Sequence, residues 1–208
     1  MSEEKYDYDE IAENIFAPIY PDIAKAIIER TGKTCGRLLD AGCGGGHLGF
    51  AVMALGSFQA VFCDINPEAA KIATNRAKSL GLDDRVLVLT ADVHELPLTD
   101  ESFDLIISRG SMPFWDDQEK AFSELYRLLA PGGYAYIGGG LGGAKHQARI
   151  HEQMRSGECG FRCFDRKNSK ALKTEVYISM FEAWGSPYQV IDNPEEGRWF
   201  MFGKAERQ

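Results

Sequence analysis

The sequence lacks the hydrophobic signals that direct a chain into or across a membrane. Its first ten residues, MSEEKYDYDE, are acidic and polar, without the basic and apolar regions of a secretory signal peptide. No run of apolar residues is long enough to span a bilayer. We therefore expect a cytoplasmic protein that makes no contact with the membrane.

Positive charge is also scarce. Lys and Arg number 23 against 31 Asp and Glu, which gives a formal net charge of −8. A surface that binds a nucleic acid duplex needs many Lys and Arg side chains to displace counterions from the phosphates. The acidic balance therefore argues against nucleic acid as the main partner and favours a small molecule.

Cysteine is too scarce for a disulfide framework. The five cysteines are an odd number in a chain without an export signal, so we expect free thiols in a reducing compartment. A thiolate–imidazole metal site is the alternative for four side chains that lie close together in the sequence: His146, His151, Cys159 and Cys163. The Cys-x-x-x-Cys spacing is loose, so unligated side chains are favoured and no metal is predicted.

The composition that is present is that of an ordinary globular protein. The 208 residues are 44% hydrophobic and 26% charged, which suits a single domain over residues 1–208. Between residues 36 and 140, apolar strands alternate with helical patterns, which is typical of parallel strands joined by crossovers. Residues 169–208 hold a predicted helix and two strands around a turn-rich link. The predicted fold class is a Rossmann-like, doubly wound α/β sheet of seven mostly parallel strands, with a C-terminal antiparallel hairpin.

Two further segments flank this core. Residues 9–31 are predicted to be helical with interruptions near Pro18 and Pro21, and residues 1–31 are interpreted as a lid. Residues 140–168 show no clear period and are interpreted as an insertion after the fifth strand. We expect both segments to cover one pocket.

The strongest local pattern is the glycine-rich loop in LLDAGCGGG, residues 38–46, between a predicted strand and a predicted helix. Such a loop lets a ligand approach the backbone closely, beside the start of a helix. The spacing is Asp-x-Gly-x-Gly-x-Gly, and His47 stands where the dinucleotide pattern Gly-x-Gly-x-x-Gly has its third glycine. Alone, this pattern fits a ligand site and a tight structural turn equally well.

Acidic residues at the ends of two more strands favour the ligand site. Asp64 ends the second strand, 24 residues after Asp40, where a carboxylate can accept hydrogen bonds from a ribose diol. Asp92 ends the third strand, where it can meet an adenine amino group. Each alone is explained as a cap or a turn residue, but parallel strands end at one edge of the sheet, where open α/β sheets bind their ligands.

The chain resembles class I S-adenosylmethionine-dependent methyltransferases, especially the small-molecule branch that includes ubiquinone and menaquinone biosynthesis methyltransferases. The resemblance covers residues 36–140, in the family's order and spacing, through LLDAGCGGGHLG, VFCDINPEAAKIA, ADVHELPLTDESFDLIIS and ELYRLLAPGGYAYI. The C-terminal hairpin also resembles that family's sheet, whereas ordinary dinucleotide-binding folds lack it. The resemblance implies S-adenosylmethionine as the cofactor and a small-molecule methyl acceptor.

The resemblance also implies which residues contact the cofactor. They are Asp40, Gly42, Cys43 and Gly44 at the methionine part, Asp64 at the ribose, Ile65, Asp92 and Val93 at the adenine, and Ser108 at the sulfonium. The residues of the glycine loop are expected to act through backbone atoms. Asp40 is expected to orient the loop and to approach the amino group of the cofactor.

No catalytic residue is predicted. Methyl transfer is a displacement at a carbon that the sulfonium already activates, so positioning the acceptor supplies most of the rate. A general base is needed only if the acceptor must lose a proton. Arg109 is either a partner for an acidic substrate or, slightly favoured, a structural arginine that bonds loop carbonyls. Phe114 and Trp115 fit a substrate wall and the core equally well.

Two other functions stay open on the sequence. A non-catalytic S-adenosylmethionine-binding module needs the same pocket. A less favoured alternative, an NAD-dependent oxidoreductase, shares the glycine loop and an acidic residue but lacks this loop spacing and the final hairpin. The segment after the fourth strand lacks the Asn/Asp-Pro-Pro-Tyr/Phe pattern of enzymes that methylate exocyclic amines of bases. That absence again favours a small acceptor.

Overall fold

The computed structural model describes residues 8–155 and 172–207 of the chain. The strands are β1 Cys35–Ala41, β2 Ser57–Asp64, β3 Val86–Thr90, β4 Phe103–Arg109, β5 Leu129–Gly139, β6 Tyr188–Asn193 and β7 Gly197–Gly203. The helices are α1 Tyr8–Ile11, α2 Tyr20–Thr31, α3 His47–Met53, α4 Pro67–Ser79, α5 Gln118–Leu128, α6 Ala144–Arg155 and α7 Thr174–Ala183. None of the helices within these described ranges is long and apolar enough to cross a bilayer.

The seven strands form one sheet in the order β3-β2-β1-β4-β5-β7-β6. Strands β1 to β5 pair in parallel, and β7 pairs antiparallel with both β5 and β6. The predicted fold, including the C-terminal hairpin, is confirmed. Because the chain order reverses between β1 and β4, the crevice outside their carboxyl ends is where such sheets bind ligands.

Alternate residues of each strand enter two separate cores. In β1, Leu38 packs with the N-terminal helices, α3 and α4, whereas Leu39 faces α5 and α7. In β4, Ile107 and Ile106 divide in the same way. This alternation follows from the period of two in a strand and explains why the central strands are apolar on both faces.

The sequence predicts that helix α4 begins with Asn66 as its N-cap and Pro67 as its first residue, and the structure agrees. The Asn66 side chain accepts a hydrogen bond from the Glu68 N–H at 3.0 Å. Helical spacing predicts an apolar stripe on this helix, and the structure confirms only part of that stripe, which consists of Ala69, Ile72, Ala73, Ala77 and Leu80. Alanines at residues 70, 73 and 77 face the core, and Leu80 is 53% exposed. The small alanine side chains let the helix lie close to the sheet, so the largest apolar side chain is not the one that is buried.

The N-terminal segment is helical from α1 through α2, without the predicted break at its prolines. A π-helical turn, Ala12–Phe16, and a 3-10 turn, Ala17–Ile19, connect the two helices. Pro18 and Pro21 each stand in the first turn of a helical element, where a missing N–H is tolerated. The interruption predicted from the prolines is therefore a change of helix type.

Part of the segment that is interpreted as an insertion is a helix. Helix α6 lies within residues 140–168, and Ile150 of this helix is fully buried against the core that contains the N-terminal helices. Arg149 also donates to the Ile15 carbonyl at 3.0 Å. The twelve residues AKHQARIHEQMR contain only two large apolar side chains, so no helical period was visible in the sequence.

Candidate functional site

The glycine loop is fixed to the end of the neighbouring strand by its own backbone. The N–H groups of Gly42 and Cys43 both donate to the Cys63 carbonyl of β2, at 2.8 and 2.9 Å. Gly42 has φ +70°, and a Cβ there would lie 2.5 Å from the Ser111 side chain. Gly44 has φ +52° and nothing within 4 Å of a Cβ position, so a ligand can approach its backbone.

Asp64 ties the end of β2 to this loop. Its Oδ2 accepts a hydrogen bond from the Gly44 N–H at 2.8 Å, and its Oδ1 accepts one from the Asn66 N–H at 2.9 Å. Each carboxylate oxygen has two lone pairs, so both oxygens keep acceptor capacity for a ligand. The two features that the sequence analysis paired, the loop and the acid, are thus in direct contact.

Asp40 is buried beneath the loop, and its hydrogen bond goes to helix α3. The Gly49 N–H donates to Asp40 Oδ2 at 3.0 Å. Burial, with a smaller effect of the nearby Asp64 charge, raises the pKa of Asp40 to about 7. Gly49 was not singled out in the sequence. A Cβ at this position would lie 2.3 Å from the Phe62 ring, which is why the first turn of α3 needs glycine.

The end of β3 lies beside the end of β2, because the Ala91 N–H donates to the Asp64 carbonyl at 3.0 Å. The next residue, Asp92, has a half-exposed side chain, whereas Val93 is buried in the core with α5. Ile65 is 68% exposed at the same edge of the sheet, an apolar surface of the kind that an adenine ring would cover. The structure therefore brings the three predicted adenine residues to one edge.

His94 has a structural position next to Asp92. The Asp92 Oδ1 accepts from the His94 backbone N–H at 2.9 Å and contacts the ring Nδ1. These bonds lower the pKa of Asp92, and the backbone bond contributes most. The His94 Nε2 accepts from the Asp117 N–H at 3.2 Å, next to the start of α5. The two contacts assign the proton to Nδ1 and make this ring a connector between two loops.

Ser108, at the end of β4, is fully buried. Its hydroxyl lies 2.6 Å from that of Ser111, which in turn donates to the Ala41 carbonyl of β1 at 3.2 Å. The two hydroxyls therefore join the ends of β4 and β1 under the glycine loop. Sequence reasoning did not select Ser111, although it follows the fourth strand by only two residues. Of the aromatic pair that follows, Trp115 is buried in the core and Phe114 is 57% exposed.

A network of charges joins the N-terminal helices to the glycine loop, and sequence reasoning missed it. Arg76 of α4 donates to the Gly45 carbonyl and makes a two-pronged ion pair with Asp9, at 3.1 and 3.0 Å. It also lies 3.0 Å from a Glu13 carboxylate oxygen. His47 extends the network, with its Nε2 3.0 Å from Glu13. Burial lowers the pKa of this histidine.

Arg109 contacts a later part of the N-terminal segment than Arg76 does. Its guanidinium stacks on Phe16 and Tyr20, with centroid distances of 4.6 and 5.2 Å. One terminal nitrogen donates to the Gly140 carbonyl at 3.1 Å, and the other reaches the Tyr20 hydroxyl at 3.5 Å. Burial lowers the pKa of the guanidinium. The carbonyl bond matches the structural role that the sequence slightly favoured, but no described carboxylate pairs with this cation.

The described thiols do not form a metal site. Burial raises the pKa of Cys63 to about 12 and that of Cys43 well above its usual value, so both are protonated at neutral pH. Among the residues whose placement is described, no group of three or more His, Cys, Asp or Glu side chains is arranged to hold a metal. Cys159, Cys163 and the His151 side chain lie outside the described part of the chain.

Comparison with known proteins identifies the family to which this chain belongs. Residues 39–137 match the methyltransferase domain family, and this match spans the glycine loop and the ends of β2, β3 and β4. A Methanococcus maripaludis protein, provisionally designated an S-adenosyl-L-methionine-dependent methyltransferase, is 35% identical in sequence. The comparison covers 100% of this chain and 99% of that one, with a TM-score of 0.86.

Two curated relatives match over less of the chain and at lower sequence identity. The 27-O-demethylrifamycin SV methyltransferase of Amycolatopsis mediterranei is 32% identical over 102 residues, which are 49% of this chain and 38% of that enzyme. The malonyl-[acyl-carrier protein] O-methyltransferase of Geobacter sulfurreducens is 28% identical over 190 residues, 85% of this chain and 68% of that enzyme. The chain thus spans about two fifths of the length of the first of these relatives. The matched domain, the full-length likeness and the seven-stranded sheet show that the chain belongs to the class I S-adenosylmethionine-dependent methyltransferases.

Proposed function

We propose that this protein transfers a methyl group from S-adenosylmethionine to a small-molecule acceptor at the carboxyl ends of β1, β2 and β4. The observation that carries the proposal is the 2.8 Å hydrogen bond from the Gly44 N–H to Asp64. It joins a loop with open space beside its backbone to a carboxylate with spare lone pairs, as a nucleoside with a polar tail requires.

The residues present fit this cofactor. Asp64 would accept from the ribose hydroxyls, and the exposed Ile65 side chain would lie under the adenine. The remaining proposed contacts are Asp40, Gly42, Cys43 and Gly44 at the methionine part, Asp92 and Val93 at the adenine, and Ser108 at the sulfonium. Because the Val93 side chain is buried in the core, we expect its contact to come from the backbone. Asp40 would meet the amino group through the oxygen that does not bond Gly49.

The chain's own contribution to the reaction is positioning. When bound, the cofactor supplies a methyl group that its sulfonium activates for displacement. The protein holds that methyl near the end of β4, orients the acceptor in line with it and excludes water. The N-terminal segment, residues 1–31, is the proposed lid on one side, and residues 140–168 the cover on the other. No general base is assigned, because none is required unless the acceptor loses a proton.

The class of acceptor rests on charge and on the names of relatives. The net charge of −8 disfavours nucleic acid. The relatives act, by name, on a demethylrifamycin and on malonyl-acyl-carrier protein, so they support a metabolite acceptor without selecting one. The ubiquinone and menaquinone branch stays a resemblance of sequence motifs, and a cytoplasmic location stays a prediction. Membership in the family excludes the alternative that the protein is an NAD-dependent oxidoreductase. The other alternative, a non-catalytic S-adenosylmethionine-binding module, differs from our proposal only in that it does not turn over.

Labelled cofactor tests the proposal. The protein is incubated with methyl-labelled S-adenosylmethionine and a small-molecule extract, and the products are separated by mass. We expect one labelled product that requires the protein, together with micromolar binding of S-adenosylhomocysteine by calorimetry, about −8 kcal/mol. Binding without any labelled product would favour the non-catalytic module. If neither S-adenosylmethionine nor S-adenosylhomocysteine bound, the site assignment would be wrong.

A further inference from the structure

The Arg109 guanidinium is a buried cation whose surroundings do not account for its charge. Many surface cations of this protein have a carboxylate oxygen within 4.0 Å. Among residues 8–155 and 172–207, no carboxylate lies that close to Arg109. Its neighbours are two aromatic rings, a hydroxyl and a carbonyl. Removing a cation from water without a counter-ion is costly, and aromatic faces offset only part of that cost.

The hydrogen-bonding capacity of this guanidinium is also largely unused. Of its five N–H donors, the two terminal nitrogens supply one bond each, to Gly140 and, at 3.5 Å, to Tyr20. The Nε is buried and has no partner among the described residues. A planar fork of unused N–H groups on a buried cation matches a carboxylate, which can accept two of them side by side.

From this geometry we infer that Arg109 binds an anionic group of the methyl acceptor, most simply a carboxylate. The inference rests on the proposed function and narrows its substrate class. Arg109 ends β4 at the same carboxyl edge of the sheet as Ser108, so an anion held by its guanidinium belongs to a molecule bound at the edge where the methyl group would be transferred. The two rings that cover the cation, Phe16 and Tyr20, belong to the proposed lid, so the acceptor would enter as this segment opens.

The carboxylate of the cofactor itself is the other source of such an anion. The position of Arg109 favours the acceptor, because its terminal nitrogen bonds the Gly140 carbonyl beyond β5. Strand β5 is two strands away from β1, whose end carries the glycine loop, and neighbouring strands are about 4.8 Å apart. One side of the guanidinium therefore faces the half of the sheet that the cofactor loop does not occupy, and Tyr20, which stacks on His47 with ring centroids 5.2 Å apart, separates its other side from that loop.

Fragment binding tests this inference without knowledge of the acceptor. Protein loaded with S-adenosylhomocysteine is titrated with acetate, succinate and benzoate, and with the neutral amides of the same acids, by saturation-transfer NMR at constant ionic strength. We expect at least one carboxylate to bind at least tenfold more tightly than its amide. Arg109→Gln should remove this preference, and Arg109→Lys, which keeps the charge without the fork, should keep part of it.

Arg37→Gln is the matched control, because Arg37 also stacks on an aromatic ring, 4.9 Å from Phe103, but stands near the opposite end of the sheet. It should leave the preference for carboxylates unchanged. The affinity of Arg109→Gln for S-adenosylhomocysteine should stay within about twofold of the wild type. A tenfold loss there would assign the arginine to the cofactor and overturn the inference.

Two further results would overturn it: equal binding of acids and amides by the wild type, or a preference that survives Arg109→Gln. The methyl-transfer assay is read separately. A labelled product that is retained on an anion exchanger supports the inference, and a neutral or cationic acceptor whose turnover ignores Arg109→Gln contradicts it. If no product forms but carboxylates still bind through Arg109, the proposed function fails and the anion site stands.

Discussion

Asp64 has more partners than its sequence position indicated. A carboxylate at the end of β2 was expected to face a ribose, but its two oxygens also hold the Gly44 and Asn66 N–H groups. The side chain therefore shapes the loop in addition to the ribose contact that we propose for it. An amide in its place has only one oxygen, so an asparagine cannot accept both backbone bonds with separate atoms.

This double role makes Asp64→Ala and Asp64→Asn similar in effect. Hydrogen bonds to a charged acceptor contribute about 1.5–3 kcal/mol, so we expect either change to weaken S-adenosylhomocysteine binding by about tenfold to a hundredfold. Titration calorimetry beside circular dichroism measures both affinity and folding. Asp83→Ala, in the exposed turn before β3, is the control and should bind normally. A folded Asp64→Ala protein with unchanged affinity would contradict the assignment.

Asp40 predicts a dependence of cofactor affinity on pH. Burial raises its pKa to about 7, so the free protein holds a proton on this carboxyl below that pH. The cationic amino group of the cofactor requires the ionised form, so binding releases the proton. Affinity for S-adenosylhomocysteine should therefore fall by about tenfold from pH 8 to pH 6, since one linked proton gives at most about tenfold per pH unit.

Asp40→Asn should remove this dependence, because an amide does not titrate but can still accept the Gly49 N–H. Calorimetry in two buffers of different ionisation enthalpy would also detect the released proton directly. Burial lowers the pKa of His47, the other titratable side chain next to the loop, and the asparagine variant separates any contribution from that histidine. A flat wild-type profile between pH 6 and pH 8 would show that Asp40 does not meet the amino group.

At the scale of elements, α4 fixes the N-terminal segment through one arginine. Arg76 links Asp9 of α1 to the Gly45 carbonyl, two contacts that are separated in the chain by 67 and 31 residues. The side chains of Arg76 and Asp9 are each 21% exposed, so screening by solvent moderates their attraction. A modest ion pair therefore couples the proposed lid to the loop.

Arg76→Gln should loosen the lid without unfolding the domain. An ion pair of this exposure contributes on the order of 1 kcal/mol, or about fivefold in a local opening equilibrium. Hydrogen exchange at residues 9–16 and 44–46 should accelerate by that factor. Lys71→Gln on the same helix removes a pair between two exposed side chains, Lys71 and Glu68 at 4.0 Å, and should leave exchange there unchanged. Equal exchange rates in the two variants would show that the Arg76–Asp9 ion pair does not hold the N-terminal segment closed.

Elements also differ in how far their sequences predicted them. Helix α4 was predicted from its Asn-Pro cap, and the cap is confirmed, because capping depends on neighbouring residues alone. Of its predicted apolar stripe, only Ala73 and Ala77 are buried, and the sequence does not predict α6. Which face of a helix is buried, and whether a weakly apolar helix is held at all, depends on the surface against which it packs.

The whole molecule carries a net charge of −8, and this charge predicts its behaviour toward nucleic acid. In gel-shift assays at physiological salt, we expect no complex with a DNA duplex or with transfer RNA, because too few cations are available to release counterions. A tight complex whose affinity falls steeply with salt would contradict this and would reopen the class of acceptor. A basic DNA-binding domain serves as the positive control.

The sequence by itself determined the order of the strands and of every helix except α6, the glycine loop and the three acids at or near strand ends. These features follow from short-range rules: a period of two in strands, capping, and glycine where a backbone must turn or be approached. Because parallel strands end at one edge, they also located the candidate site. The hairpin followed from a turn-rich link between two apolar runs, again a local pattern.

Only the tertiary structure decided which distant side chains meet at that edge. Three such contacts join residues that are far apart in the chain, so no helical or strand spacing predicts them. They are Arg76 with Asp9, Ser111 with Ala41, and Arg109 with Phe16. The raised pKa of Asp40 likewise exists only because the folded chain removes that carboxyl from water. Charge pairing and desolvation depend on distance in space, and packing of the helices against the sheet sets that distance.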